Sequence, residues 1–281
     1  MRRGLPRDPP PQATRIPMLD VCRRFGTAPP HEPGCVARRG ARTCREVLVR
    51  TGPRAEPLVP DASPVTAADE RAEAVILAGL ARLTPDIPVV AEEAVAAGRI
   101  PRVGERFWLV DPLDGTKEFI NRNGEFTVNI ALIEDGRPVL GVVFAPALDR
   151  LFAGAAGAGA FVEDCGARRA IACRKVPAAG LTVVASRSHG DATALEAFLA
   201  GRTVASQTSA GSSLKLCLVA CGEADVYPRL GRTMEWDIAA GDAVLRAAGG
   251  RVCTLDDVPL GYGKPDFANP HFAAWGDAAP A

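Results

Sequence analysis

Ala72, Val75, Ile76, Gly79, Leu80 and Leu83 recur at i, i+3, i+4 spacing among polar residues. That is the stripe of an amphipathic helix, and the preceding SPVTAAD supplies a proline and two capping residues for its start. Beyond it the period changes. IPVVAEE reads as a short strand ending in acids and FWLVDP as a buried strand. FTVNIALIEDGRPVLGVVFAPALDRLFAG reads as a meander of strands joined at Glu134-Asp135-Gly136. The Gly/Ala-rich residues 153–162 predict tight strand and turn packing, with a domain division after them. LTVVASRSH is a strand with a polar end, and GSSLKLCLVACGEADVYPRL a loop, a helix and a strand. WDIAAGDAVLRAAGGRVCTL predicts a helix capped by Asp237 and stopped at Gly249-Gly250, followed by a strand.

These elements predict a mixed α/β (α+β) fold with both strand pairings and no internal repeat. The expected organisation is one subdomain over residues 61–163 and a second over 164–281. Residues 1–60 stand apart, with 11 prolines, 12 arginines, three cysteines and no sustained period. Such a composition cannot bury enough surface to offset its ordering entropy, so disorder is expected there. A Lys-free, Arg/Pro/Cys-rich stretch that joins abruptly near Pro60 is also what a GC-rich gene yields when read out of frame, which makes a frameshift the second expectation.

Charge sharpens this division. The chain of 281 residues is formally neutral, but residues 1–60 carry +7 and residues 61–281 carry −7. The main body therefore has little electrostatic support for nucleic-acid binding. No apolar run reaches the roughly 18 to 20 residues of a membrane helix. Eight cysteines without a CxxC pair, and an Arg-Arg start running into prolines, fit a reducing, cytoplasmic setting without a signal peptide. A position peripheral to the inner membrane is the variant of that expectation.

Asp111 and Asp114, in WLVDPLDG, are three apart at the end of an apolar run. Taken alone, Asp-Pro and Asp-Gly are turn formers. Glu92 in AEE has an exposed turn as its plain reading, and Asp237 a helix cap. The combination changes this, because strand ends at one edge of an α/β sheet converge and bring the four acids into one pocket. Two carboxylates about 4 Å apart repel by roughly 4 kcal/mol at an effective dielectric near 20, so the cluster needs cations. All-oxygen ligands point to Mg²⁺ or Mn²⁺. Gly115 and Thr116 then open a short helical turn whose N–H groups would face a phosphate. Divalent ions beside a phosphate imply metal-assisted phosphomonoester hydrolysis.

In this order, EE, WLVDPLDGTKEF and WDIAAG resemble the Mg²⁺-dependent, lithium-sensitive phosphatase superfamily of inositol monophosphatase and fructose-1,6-bisphosphatase, from about Ser63 to Phe272. SPVTAAD, DGTKEFINRNGEFTVNIAL, SRSH, GSSLK and ADVYPR are most similar to its CysQ-type 3'(2'),5'-bisphosphate nucleotidase branch. Lys117-Glu118-Phe119 stands where inositol phosphatases usually read Thr-Asn-Phe. The resemblance implies a layered αβαβα sandwich, frequent homodimers and two or three Mg²⁺ ions, with Mn²⁺ as a substitute and Li⁺ inhibitory. It implies hydrolysis of the 3'-phosphate of 3'-phosphoadenosine 5'-phosphate to AMP, recycling the by-product of sulfate assimilation. Glu92, Asp111, the Leu113 carbonyl, Asp114 and Asp237 become metal ligands, and Asp69, Thr116 and Glu92 hold the attacking water. Gly115, Thr116, Lys117, His189, Ser212, Lys215 and Arg229 become substrate contacts in a pocket of the second subdomain. The helix pair that opens family members is not legible in residues 1–60. An inositol or sugar phosphatase, and a metal- or nucleotide-binding protein inactivated at its N-terminus, are the alternatives.

Overall fold

The computed structural model describes residues 67–187 and 192–276. The expectations for residues 1–60, for the SPVT segment and for His189 lie outside them. The predicted amphipathic helix is α1 (Ala67–Leu83), which buries Ala72, Ile76 and Leu80 completely. Each large apolar side chain so buried contributes about 1.5–3 kcal/mol. Then come β1 (Val89–Ala91), α2 (Glu92–Ala96), β2 (Arg106–Asp114), α3 (Thr116–Ile120), β3 (Thr127–Glu134), β4 (Arg137–Ala145), β5 (Arg150–Ala155), β6 (Gly159–Asp164) and β7 (Ala167–Ile171). The acids of AEE therefore open a short helix and do not end the strand. These strands form one sheet in the order β1 to β7, parallel at β1/β2 and antiparallel throughout the rest. At the predicted turn Asp135 and Gly136 both take positive φ (49° and 70°), the twist a two-residue hairpin requires.

β8 (Leu181–Ser186), α4 (Ala192–Leu199), β9 (Val204–Ala210), α5 (Leu214–Ala220), β10 (Val226–Arg229), α6 (Glu235–Ala247), β11 (Arg251–Thr254) and β12 (Phe272–Trp275) complete the described chain. Their strands form a second sheet, ordered β11-β12-β10-β8-β9. The change of sheet falls between Ile171 and Leu181, beyond the division expected after residue 163. The reason is local: Cys165 and Gly166, at φ 46° and 84°, turn β7 back onto β6.

Alternation along β2 and β3 sends side chains to both faces of the first sheet. Trp108, Val110, Ile130 and Leu132 meet Ile76 and Leu80 of α1, while Phe107, Leu109, Ala131 and Ile133 join a core with α5 and α6. On the far face of the second sheet, Val183, Val226 and Trp275 pack against Leu195 and Phe198 of α4. The layers are thus α1, sheet, α5 with α6, sheet and α4, the expected αβαβα sandwich.

α6 lies unusually close to the first sheet. A Cβ on Gly141 would stand 2.2 Å from the Ala240 carbonyl, and one on Gly154 would stand 2.8 Å from the Cα of Val244. Only glycine lets the helix seat there. Among the described residues no helix is long and apolar enough to cross a membrane.

Candidate active site

Positions three apart on a regular strand face opposite sides. β2 avoids this by shifting register between Asp111, which pairs Asn129, and Asp114, which pairs Thr127. Residues two apart on β3 share a face, so the extra residue of the bulge returns Asp114 to the side of Asp111. The Asp111 carboxylate accepts the Leu113 N–H at 2.9 Å, which holds the bulge in shape.

Glu92 brings the third acid from the first position of α2, and Asp237 the fourth from α6. Asp237 is not the N-cap expected from sequence. α6 begins two residues earlier, at Glu235, after Met234, and Asp237 in its first turn accepts the Met234 N–H at 2.8 Å. The earlier start has a tertiary cause. Buried Glu235 accepts the N–H groups of Gly263 and Lys264 at 2.7 and 3.0 Å and pairs with the Lys264 ammonium at 2.7 Å.

All four carboxylates line one cavity of about 290 Å³. Burial, then the charges of Asp237, Glu93 and Asp114, push Glu92 up to about 9, while Glu92 and Asp111 also hydrogen-bond to each other. Burial, followed by the charges of Glu92, Asp114 and Asp237, holds Asp111 well above its ordinary range. Asp237 rises to about 7 through burial and Asp114. Asp114 is raised by burial, against Lys215 and the Ser213 amide, which favour its charged form.

The other wall is basic and polar. Lys215, buried on α5, donates to the carbonyls of Ser212 and Ala210 at 2.5 and 3.3 Å, and burial lowers it to about 8 against the pull of Asp114. Arg229, at the end of β10, donates to the Arg232 carbonyl at 2.7 Å and to the Ser186 hydroxyl at 3.4 Å, and its Nε is buried without a partner. Ser212 takes φ 46°, and its hydroxyl too is buried without a partner. Both atoms belong to residues of the cavity wall and keep hydrogen-bonding capacity that the chain does not use.

Gly115, at φ 91°, turns the chain from β2 into α3 and puts Gly115, Thr116 and Lys117 on the same cavity. Asp69 is not on that wall. It is buried in the first turn of α1, where its charge helps raise Glu93 to about 7 after burial. Ala68 and Ala72 pack with Leu113, Phe119 and Phe126, so this turn rests directly against the bulge and α3.

Sequence reading missed Asn129 and Ser213. Buried Asn129 donates to the Ser213 hydroxyl at 3.0 Å, to Asp114 at 3.4 Å and to the Asp237 carbonyl at 3.5 Å, and the Ser213 hydroxyl donates to that same carbonyl. Asparagine in mid-strand is depleted, and this was the available signal: a polar residue inside TVNIAL needs partners.

The donor set fits divalent cations. It is all oxygen, half-buried to buried and mutually repelling, and a 2+ charge would oppose every upward carboxylate shift. Among the described residues no three such groups already converge on one point, so the fit rests on the shared wall and the coupled charges.

A model of the inositol monophosphatase family matches residues 52–277. The chain is 49% identical over 238 residues to the 3'(2'),5'-bisphosphate nucleotidase CysQ of Escherichia coli K12, which covers 84% of this chain and 95% of that one. It is 54% identical over 213 residues to the Salmonella typhimurium protein of the same name, covering 75% and 85%. Among solved structures, CysQ from Bacteroides thetaiotaomicron superposes with a TM-score of 0.72 at 37% identity, over 87% of this chain and 95% of the other.

Proposed function

This chain belongs to the inositol monophosphatase family, and we propose that it is a 3'(2'),5'-bisphosphate nucleotidase that hydrolyses the 3'-phosphate of 3'-phosphoadenosine 5'-phosphate to AMP and phosphate. The observation that carries this reading is the cavity's two-sided wall, with four carboxylates on one part and Lys215, Arg229 and Ser212 on another. Glu92, Asp111, the Leu113 carbonyl, Asp114 and Asp237 would hold two or three Mg²⁺ ions, with Mn²⁺ able to replace them and Li⁺ inhibitory. When bound, such ions acidify a water and neutralise charge on the phosphate and the leaving oxygen.

The chain's own residues do the rest. Gly115, Thr116 and Lys117 direct N–H, hydroxyl and ammonium groups at the phosphate. Thr116 and Glu92 orient the attacking water, and Glu92 takes its proton as the bond from phosphorus to the 3'-oxygen breaks and that oxygen takes up a proton from solvent to leave as the 3'-hydroxyl of AMP. Asp69 supports them from behind, its carboxylate bearing on Glu93. Arg229, Lys215 and Ser212 receive the ribose and second phosphate, with His189 as a further contact. A cytoplasmic homodimer is part of the same proposal.

Phosphate release from 3'-phosphoadenosine 5'-phosphate and from inositol 1-phosphate, each with Mg²⁺, tests this. Preference for the nucleotide is expected. Preference for the inositol ester would move the chain to the sister activity, and silence on both would overturn the catalytic reading.

A further inference from the structure

Glu125 belongs by chain position to the acidic wall, in the turn between α3 and β3. Its carboxylate nevertheless accepts its hydrogen bonds from the second sheet. Arg187, just after β8, grips it with two N–H groups at 2.9 and 2.8 Å, and the Gly211 N–H, just after β9, reaches it at 2.7 Å. The same guanidinium donates to the Ser209 carbonyl at 3.1 Å. Gly211 leads into Ser212 and Ser213, and Lys215 reaches back to carbonyls on either side of Gly211. One carboxylate thus fastens the loop that carries the basic wall to the turn that carries α3.

The two parts also touch at this point. A Cβ on Gly211 would stand 2.7 Å from the Glu125 carbonyl and 2.9 Å from Cγ of Glu118, so the seam admits glycine alone. The geometry points to Glu125 as a positioning residue: it fixes the basic wall against the phosphate end of the cavity, and so sets affinity for the nucleoside end of the substrate. The inference rests on the nucleotidase reading above. A two-pronged charged grip specifies orientation as well as energy. Because the pair is half exposed, with side-chain exposures of 45% for Arg187 and 24% for Glu125, it adds little to global stability. Its effect falls on spacing.

The experiment uses the full chain with Mg²⁺ and compares wild type with Glu125→Gln, Glu125→Ala and Arg187→Gln. KM for 3'-phosphoadenosine 5'-phosphate and the inhibition constant of AMP are expected to rise together by roughly tenfold in Glu125→Ala and Arg187→Gln, and by less in Glu125→Gln. kcat and the inhibition constant of inorganic phosphate, which needs only the acidic wall, should stay within about threefold. Unchanged AMP inhibition in Arg187→Gln overturns the proposal, as does an equal loss for AMP and phosphate. If Glu125→Ala does not fold, the exposed Arg187→Gln variant decides alone. Wild type reports on the reading beneath: no turnover of the nucleotide sinks both, whereas normal wild-type turnover with unmoved constants in every variant sinks only this one.

Discussion

The two walls of the cavity are built on opposite electrostatic plans. On the acidic wall, Glu92, Asp111, Asp114 and Asp237 share one cavity, Asp111 buried and the other three half-buried, and three of the four owe part of their shift to a neighbouring acid. On the basic wall, Lys215 is buried, yet its ammonium donates to two carbonyls and the charge acting on it most strongly is the opposite one of Asp114. The charges of one wall repel one another, and the charge of the other has an opposite partner. The difference teaches where a ligand's contribution must fall: cations relieve the first, and substrate adds to the second only through hydrogen-bonding capacity not already matched within the chain.

The contrast breaks most visibly at Asp114. Asp114→Asn keeps the shape and removes one charge from the cation-binding set, so turnover should fall by about a thousandfold or more. Phosphate release under saturating Mg²⁺ measures it, and a near-wild-type rate would show that the acidic wall is not the reacting one. On the other side, Lys215→Met should raise KM for the nucleotide by roughly tenfold while kcat moves far less. A loss confined to kcat would mean that Lys215 serves Asp114 and not the substrate.

The repulsion itself is measurable in the chelated protein. Glu92 is raised from 4.5 to about 9 and Asp237 from 3.8 to about 7, so the folded chain holds protons that the unfolded chain releases. The stability tied to them is fully present below about pH 4 and is lost as pH rises through 7 to 9. Melting in EDTA should therefore drop by several degrees across that window, and Mg²⁺ should flatten the slope. A flat profile in EDTA would remove the electrostatic contrast between the walls. The smallest effect is expected away from both. Arg106→Gln breaks a 2.7 Å surface pair with Glu134 and should cost about 0–1 kcal/mol with no change in kcat or KM.

The acidic wall was legible because its chemistry is written locally. Asp-Pro and Asp-Gly after an apolar run, and paired acids after another, are conspicuous within a few residues. The basic wall was harder to read, since Ser212, Lys215 and Arg229 become neighbours only when β9, α5 and β10 assemble. Asn129 and Glu125 were not read at all, because each matters through partners more than sixty residues away. Asp237 was read correctly as a helix-start acid but placed at the cap, because the clamp of Glu235 by Gly263 and Lys264 is a contact between distant segments. The elements followed from period and turn chemistry, and their layering from the family resemblance. The seam between the two sheets did not, since the Cys165-Gly166 turn looks like many loops.

The bulge in β2 makes the site a question of odd and even. Substituting Pro112 or Leu113 changes a side chain, but removing either one changes the count, and a strand with one residue fewer would turn Asp114 toward the opposite layer while Glu92, Asp111 and Asp237 stayed in place. The stretch from Asp111 to Asp114 therefore behaves as a word of fixed length. Its two middle letters have some latitude, and its parity has none.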